Sequence, residues 1–294
     1  MRILFIHGRA QEHSSQEELL DKWTTELKKS FENAGISYPE GVTLHMPYYG
    51  KELISLKDQF KDDVHSGKYQ MRSAEDLDEI QALHNDLLND MAENAGITPK
   101  QILEEMKMET QERGLQNNPI ILALARILDR YGKKYANDLI LKETDDVVTY
   151  LVVPDVKVVI NKLVTDALTS EPTIIIAHSL GTVIAYEVLH MLKKEDYNIC
   201  GLITLGSPLG MKAIIRQLYT SPTFPLVVSG SWTNLYDKRD IVSLRALEAA
   251  HFKVNPEILN IDVINKTDNR HGIEGYLSNA FVAKSISDIM ACNE

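Results

Sequence analysis

A chain of 294 residues, 44% hydrophobic and 25% charged, can bury roughly three quarters of its unfolded surface and has ordinary globular composition. Disordered, collagen-like and disulfide-scaffold classes are excluded. Acidic residues outnumber basic ones 42 to 31, and the net charge of −11 repels phosphate backbones, so no nucleic acid partner is expected.

The two cysteines, Cys200 and Cys292, read as reduced thiols, which points to the cytoplasm. Residues 1–8 enter a short apolar stretch and a glycine turn with no extended hydrophobic region or small-residue cleavage site, so no secretion signal is expected. The longest apolar runs, residues 119–125 and 147–153, fall short of the ~18 residues of a transmembrane helix.

In chain order, residues 3–6 predict a strand buried on both faces, ending at His7-Gly8. A helix follows. Ser15 and Glu18 form a capping box, Leu19, Leu20, Trp23, Leu27 and Phe31 share one face, and Gly35 stands where a C-cap glycine belongs. Residues 42–46 are the next strand. Residues 51–143 carry almost no strand signal. Ser73 and Asp76 cap a helix with a stripe of Leu77, Ile80, Leu83, Leu87, Leu88 and Met91; Thr98-Pro99 opens another that Gly114 ends; residues 119–131 form a third, stopped by Gly132. This length is too great for an unstructured loop and predicts a folded helical insertion.

Val156, Val159, Ile160, Leu163, Val164 and Ala167 mark an amphipathic helix leading to a β-branched strand at residues 173–177. A helix from Thr182 and a strand at residues 199–205 continue the β/α alternation of a parallel sheet. Residues 211–219 show a helical face of Ile214, Ile215 and Leu218. Residues 232–236 and 258–264 predict strands, the second followed by a polar loop at 266–270 and His271. Phe281, Val282, Ile286 and Ile289 mark a closing helix.

The strongest local signal is Ile174-Ile175-Ile176-Ala177-His178-Ser179-Leu180-Gly181-Thr182, an apolar strand turning through a serine into a helix. In such a nucleophile elbow the residues two before and two after the serine must be small, because bulk there meets neighbouring backbone. Alternatively, Ser179 simply caps the helix.

A serine needs a base and an acid that orients it. His271, after the last strand, is the candidate base. The acid should leave the strand at residues 232–236, and Asp237 and Asp240 both follow it. Asp240 is preferred because Ile241 and Val242 can anchor its loop inward; Asp237 is the alternative, and Asp262 and Asp268 are weaker candidates. The turn after the first strand can bring the Arg9 backbone N–H to an oxyanion beside that of Leu180. His7 reads as a structural hydrogen-bonding residue. The other histidines show no metal-ligand spacing, and Gly206-Ser207-Pro208-Leu209-Gly210 lacks the lysine of a nucleotide loop, so neither metal nor cofactor is expected.

With its Ala-His-Ser-Leu-Gly elbow and the chain order serine, acid, histidine, the sequence resembles the lipase- and esterase-like serine hydrolases of the α/β-hydrolase superfamily. The matching positions are His7-Gly8, residues 177–181, Gly206-Ser207-Pro208, Asp237 or Asp240, and His271. They fall within residues 1–50 and 150–294. The resemblance implies a mostly parallel sheet with helices on both faces, a Ser-His-Asp triad and an acyl-enzyme intermediate. It also implies a core of residues 1–50 and 144–294, with 51–143 as a cap or lid.

The expected activity is hydrolysis of a small-molecule ester or acyl substrate, with peripheral lipid contact left open. Thioesterase, acyltransferase and peptidase chemistry use the same acyl-enzyme. The non-enzymatic alternative is a module that presents residues 51–143 to a protein partner.

Overall fold

A computed structural model describes residues 1–8, 11, 13–66, 75–107, 123, 127, 137–218, 221–243, 245–266 and 269–293. The first apolar run forms strand β1 (Arg2–Ile6), whose side chains part to two sides. Ile3 and Phe5 join one core, and Leu4 and Ile6 join the other. A strand apolar on both faces is stable only if both are covered. The other strands are β2 (Thr43–His45), β3 (Thr173–His178), β4 (Ile199–Leu205), β5 (Trp232–Tyr236) and β6 (Leu259–Asp262). They form one all-parallel sheet in the order β2-β1-β3-β4-β5-β6. The four inner strands are buried throughout, whereas edge strands β2 and β6 are largely exposed or half-buried. The fold is α/β, with helices around the sheet.

The helices with described bounds are α1 (Gln16–Ala34), α2 (Gly50–His65), α3 (Glu75–Asn94), α4 (Pro99–Lys107), α5 (Asn137–Val152), α6 (Pro154–Asp166), α7 (Leu180–Met191), α8 (Lys212–Gln217), α9 (Ile273–Leu277) and α10 (Ala280–Ala291). Helix α1 has the expected ends. The Ser15 hydroxyl accepts from Glu18 N–H while the Glu18 carboxylate accepts from Ser15 N–H, and Gly35 closes the helix at φ 66°. Its buried Leu19, Trp23, Leu27 and Phe31 meet Ile3, Phe5, Ile174, Ile176 and the inner residues of α9 and α10. The opposite face, with Leu4, Ile175, Ala177 and Leu202, packs against α7 and residues of α2–α6.

Between β2 and β3 the described residues hold helices and no strand. Thr98 and Gln101 start α4 by reciprocal bonds, with Gln101 N–H to Thr98 Oγ1 at 3.3 Å and Thr98 N–H to Gln101 Oε1 at 2.8 Å. The expected cap Ser73, the stop at Gly114 and the helix at 119–131 lie outside the described residues, apart from Ala123 and Ile127, both helical and buried. Helix α3 buries Leu83, Leu87, Leu88 and Met91 and packs on α8, which follows β4. Asp90 accepts from Ala213 N–H at 2.7 Å, and the exposed pairs Glu93–Lys212 and Asp86–Arg216 line the same contact. Exposed ion pairs contribute about 0.5 kcal/mol each, so the apolar stripe and the Asp90 bond carry this packing.

Two local differences from the sequence reading have simple causes. The last strand is shorter than predicted because β5, the strand it pairs with, ends at Tyr236, the partner of Asp262. Helix α9 was not predicted because its five residues are too few to display a helical period. No described helix is long and apolar enough to cross a membrane.

Candidate active site

The strand order changes direction between β1 and β3: the chain steps outward from β1 to β2 on one side and from β3 through β6 on the other. In an open parallel sheet a crevice forms at such a point, beyond the carboxyl ends of the two strands. Ile6 pairs with Ala177, so His7-Gly8 and His178-Ser179 leave the sheet side by side. A Cβ on Gly8 would lie 3.0 Å from Ser179 Cβ, so a side chain there would force the two turns apart by a few tenths of an ångström.

Ser179 has φ 52° and ψ −129°, the one positive φ among the described non-glycine residues. That region costs an L-residue about 1–3 kcal/mol. The chain holds Ser179 there because β3 and α7 are both locked in the core, with the first ten residues of α7 buried. A Cβ on Gly181 would come within 2.3 Å of Ile6 O and 2.4 Å of His7 O, so only glycine lets α7 start beneath β1. The serine side chain makes no cap bond to the helix, against the capping alternative. Its Oγ lies 2.8 Å from His271 Nε2.

His271 Nδ1 lies 2.8 Å from Asp240 Oδ2. An ionised carboxylate only accepts, so Nδ1 carries the proton and Nε2 is left to accept from the Ser179 hydroxyl. Ser179, His271 and Asp240 are 1%, 2% and 0% exposed, so His271 is not a surface loop histidine. Asp240 Oδ1 accepts from Val242 N–H at 3.0 Å, and Oδ2 lies 2.9 Å from Ser243 Oγ and 2.8 Å from the Tyr276 hydroxyl. The proximity of Val242 bears on the anchoring role expected of the residues after Asp240.

Asp237 is not brought to His271. Its Oδ1 accepts from Arg239 N–H and Nε–H at 2.8 and 2.9 Å, and its Oδ2 accepts from Asn265 N–H at 2.7 Å and Arg239 Nη2 at 2.5 Å. Burial by itself would raise the Asp237 pKa, but the Arg239 guanidinium and these backbone N–H groups outweigh it and hold the carboxyl below its ordinary value. A depressed folded-state pKa adds stability above the unfolded-state value near 4 and loses it as pH falls through the folded-state value. Urea midpoints measured from pH 6 to pH 2.5 are therefore expected to fall more steeply below about pH 4 in the wild type than in Asp237→Asn. Parallel curves would remove Asp237 from this acid-sensitive contribution.

His178, inside the elbow, turns behind the base. Its Nε2–H donates to the His271 carbonyl oxygen at 2.9 Å, and the two ring centroids are 4.9 Å apart. Burial first, and the His271 ring second, push the His178 pKa well below the ordinary value, so this donor is a neutral imidazole. His7 is structural: Nδ1–H donates to Gly8 O at 3.0 Å, Nε2 accepts from Tyr49 N–H at 3.3 Å, and the Tyr49 ring stacks on it at 3.8 Å. The Tyr49 hydroxyl donates to His7 O. At the strand end after β4, Gly206 takes φ 56°, and Ser207 Oγ bonds Thr182 Oγ1 at 2.8 Å, tying this turn to the start of α7.

Leu180 N–H stands at the N-terminus of α7, directly after the serine, where the helix dipole is positive. Arg9 and Asp268 lie outside the described residues. Asp262 pairs with Lys238 at 2.8 Å. Among the described residues no group of three His, Cys, Asp or Glu side chains is placed to hold a metal ion. Sequence reasoning missed the parts played by Ser243, Tyr276 and His178. Only His178 carried a signal, through its place in the elbow. No protein-family model, curated protein or solved structure matches the chain.

Proposed function

We propose that this chain is a serine hydrolase of the α/β-hydrolase kind that cleaves a carboxylic ester. The observation that carries this reading is the continuous hydrogen-bonded line from Ser179 Oγ through His271 to Asp240 Oδ2, with both links at 2.8 Å. His271 Nε2 takes the Ser179 proton as Oγ attacks the ester carbonyl, and Asp240 stabilises the imidazolium that forms. Leu180 N–H, at the helix terminus, holds the developing oxyanion, and Arg9 N–H is assigned as the second donor from the sequence alone. His271 returns the proton to the leaving alcohol, giving the acyl-enzyme. Water, deprotonated by the same imidazole, then releases the acid.

In this reading residues 51–143 are the cap. A fluorophosphonate tests the nucleophile without knowledge of the substrate. The expected result is one adduct per chain by intact mass, located on Ser179 by peptide fragmentation. A folded protein that takes no adduct at Ser179 would overturn the reading.

A further inference from the structure

The carboxyl group facing His271 is served by one hydroxyl from its own loop, Ser243, and one from helix α9, Tyr276. Asp240 Oδ2, Ser243 Oγ and the Tyr276 hydroxyl form a closed triangle, with 2.9 Å from Ser243 to Asp240, 2.8 Å from Tyr276 to Asp240 and 2.9 Å between the two hydroxyls. All three residues are buried, with Tyr276 at 0% and Ser243 at 1% exposure. Asp237 N–H donates to the Tyr276 oxygen at 3.2 Å, fixing the ring oxygen from behind.

We propose that Tyr276 and Ser243 are positioning residues, holding Asp240 Oδ2 against His271 Nδ1 and thereby orienting the imidazole toward Ser179. This rests on the hydrolase reading above. The triangle has three edges and two hydroxyl protons. The two hydroxyls cannot both donate to each other along one edge, so at least one proton always points to Oδ2. The carboxylate is consequently pinned in every arrangement of the hydroxyl protons, while Val242 N–H fixes its other oxygen. Burial, and then the Asp240 charge, push the Tyr276 phenol well above its ordinary range, which keeps it a proton donor.

Tyr276 also ties the acid to the strand end after β4. A Cβ on Gly206 would meet Tyr276 Cε2 at 3.0 Å and His271 Cε1 at 3.3 Å, so the turn, the base and the tyrosine pack as one unit. The chain thus brings a loop after β5 and a short helix after His271 to a single carboxylate oxygen, and the turn after β4 packs against the tyrosine and the base. Preorganisation of this kind contributes to rate because an imidazole misdirected by a fraction of an ångström accepts the serine proton poorly.

The test compares wild type, Ser179→Ala, Tyr276→Phe and Ser243→Ala, each also in an Asp240→Ala background where applicable. The readouts are the fluorophosphonate labelling rate at Ser179, steady-state hydrolysis of p-nitrophenyl butyrate and thermal unfolding. Tyr276→Phe keeps the ring and removes only the hydroxyl. Tyr276→Phe and Ser243→Ala are each expected to lower kcat and the labelling rate about tenfold with KM within twofold, and to lose that effect in the Asp240→Ala background. Labelling rates within twofold of wild type, or the same loss with and without Asp240, would overturn the positioning role. If Tyr276→Phe does not fold, Ser243→Ala decides the question by itself. Absence of any Ser179 adduct on the wild type overturns the hydrolase reading and this inference with it; a labelled wild type with unaffected variants overturns the inference alone.

Discussion

Ser179→Gly and Ser179→Ala are both expected to lower ester turnover by about 10⁶-fold, the scale on which a serine nucleophile and its base act together. Their stabilities should nonetheless differ, with glycine above alanine by about 1 kcal/mol. Both variants lack the hydroxyl, so the loss of its bond to His271 cancels in the comparison. What remains is the backbone. At φ 52° and ψ −129° alanine retains a strain of about 1–3 kcal/mol that glycine does not feel, against which glycine loses about 0.5–1 kcal/mol through its freer unfolded chain. In an ordinary helix or strand the order would be the reverse. Thermal or urea unfolding of the two variants gives the comparison, and an alanine variant as stable as the glycine one would mean that the elbow stores no strain. Appreciable hydrolysis by either variant would remove Ser179 from the chemistry.

Asp240→Asn is expected to reduce kcat by about 10⁴-fold, whereas Asp237→Asn should change it less than tenfold. The amide at position 240 has one acceptor and one donor end, where the structure offers donors on both sides. With its oxygen toward Val242 N–H, its NH₂ faces His271 Nδ1 and drives the ring proton to Nε2, which then cannot accept from Ser179. With its oxygen toward His271, the NH₂ meets the Val242 donor instead and the loop loses its anchor. Asp237, by contrast, serves Arg239 and Asn265, so Asp237→Asn should lower stability by about 2 kcal/mol and leave the base in place. Steady-state kinetics and urea unfolding of the two variants separate these roles. Equal kcat losses at the two positions would sink the assignment of Asp240 as the acid.

Much of the fold was legible because its signals are local. The capping box of Ser15 and Glu18, the C-cap of Gly35 and the bounds of β5 lie in short stretches whose residue types state their own conformation. The run from Ile174 to Gly181 likewise holds strand, turn and helix start within a few residues. Helix α9 was not legible because it forms one turn and a half, and Tyr276 has no spacing that marks it as the partner of an acid 36 residues away. The choice between Asp237 and Asp240 was equally out of reach of periodicity, since both follow β5 in one loop.

The sequence by itself determined that a serine would sit in a tight strand-to-helix turn. It also determined that a β/α alternation would carry that turn, and that aspartates and a histidine would follow on later strand ends. These are properties of residues within a few positions of each other, governed by backbone sterics and apolar patterning. Only the tertiary structure decided which aspartate faces His271, that both are buried, and that Ser243 and Tyr276 close around them. Those contacts join residues 92 and 31 positions apart through the order in which the six strands pair, and a loop's direction in space depends on what it packs against.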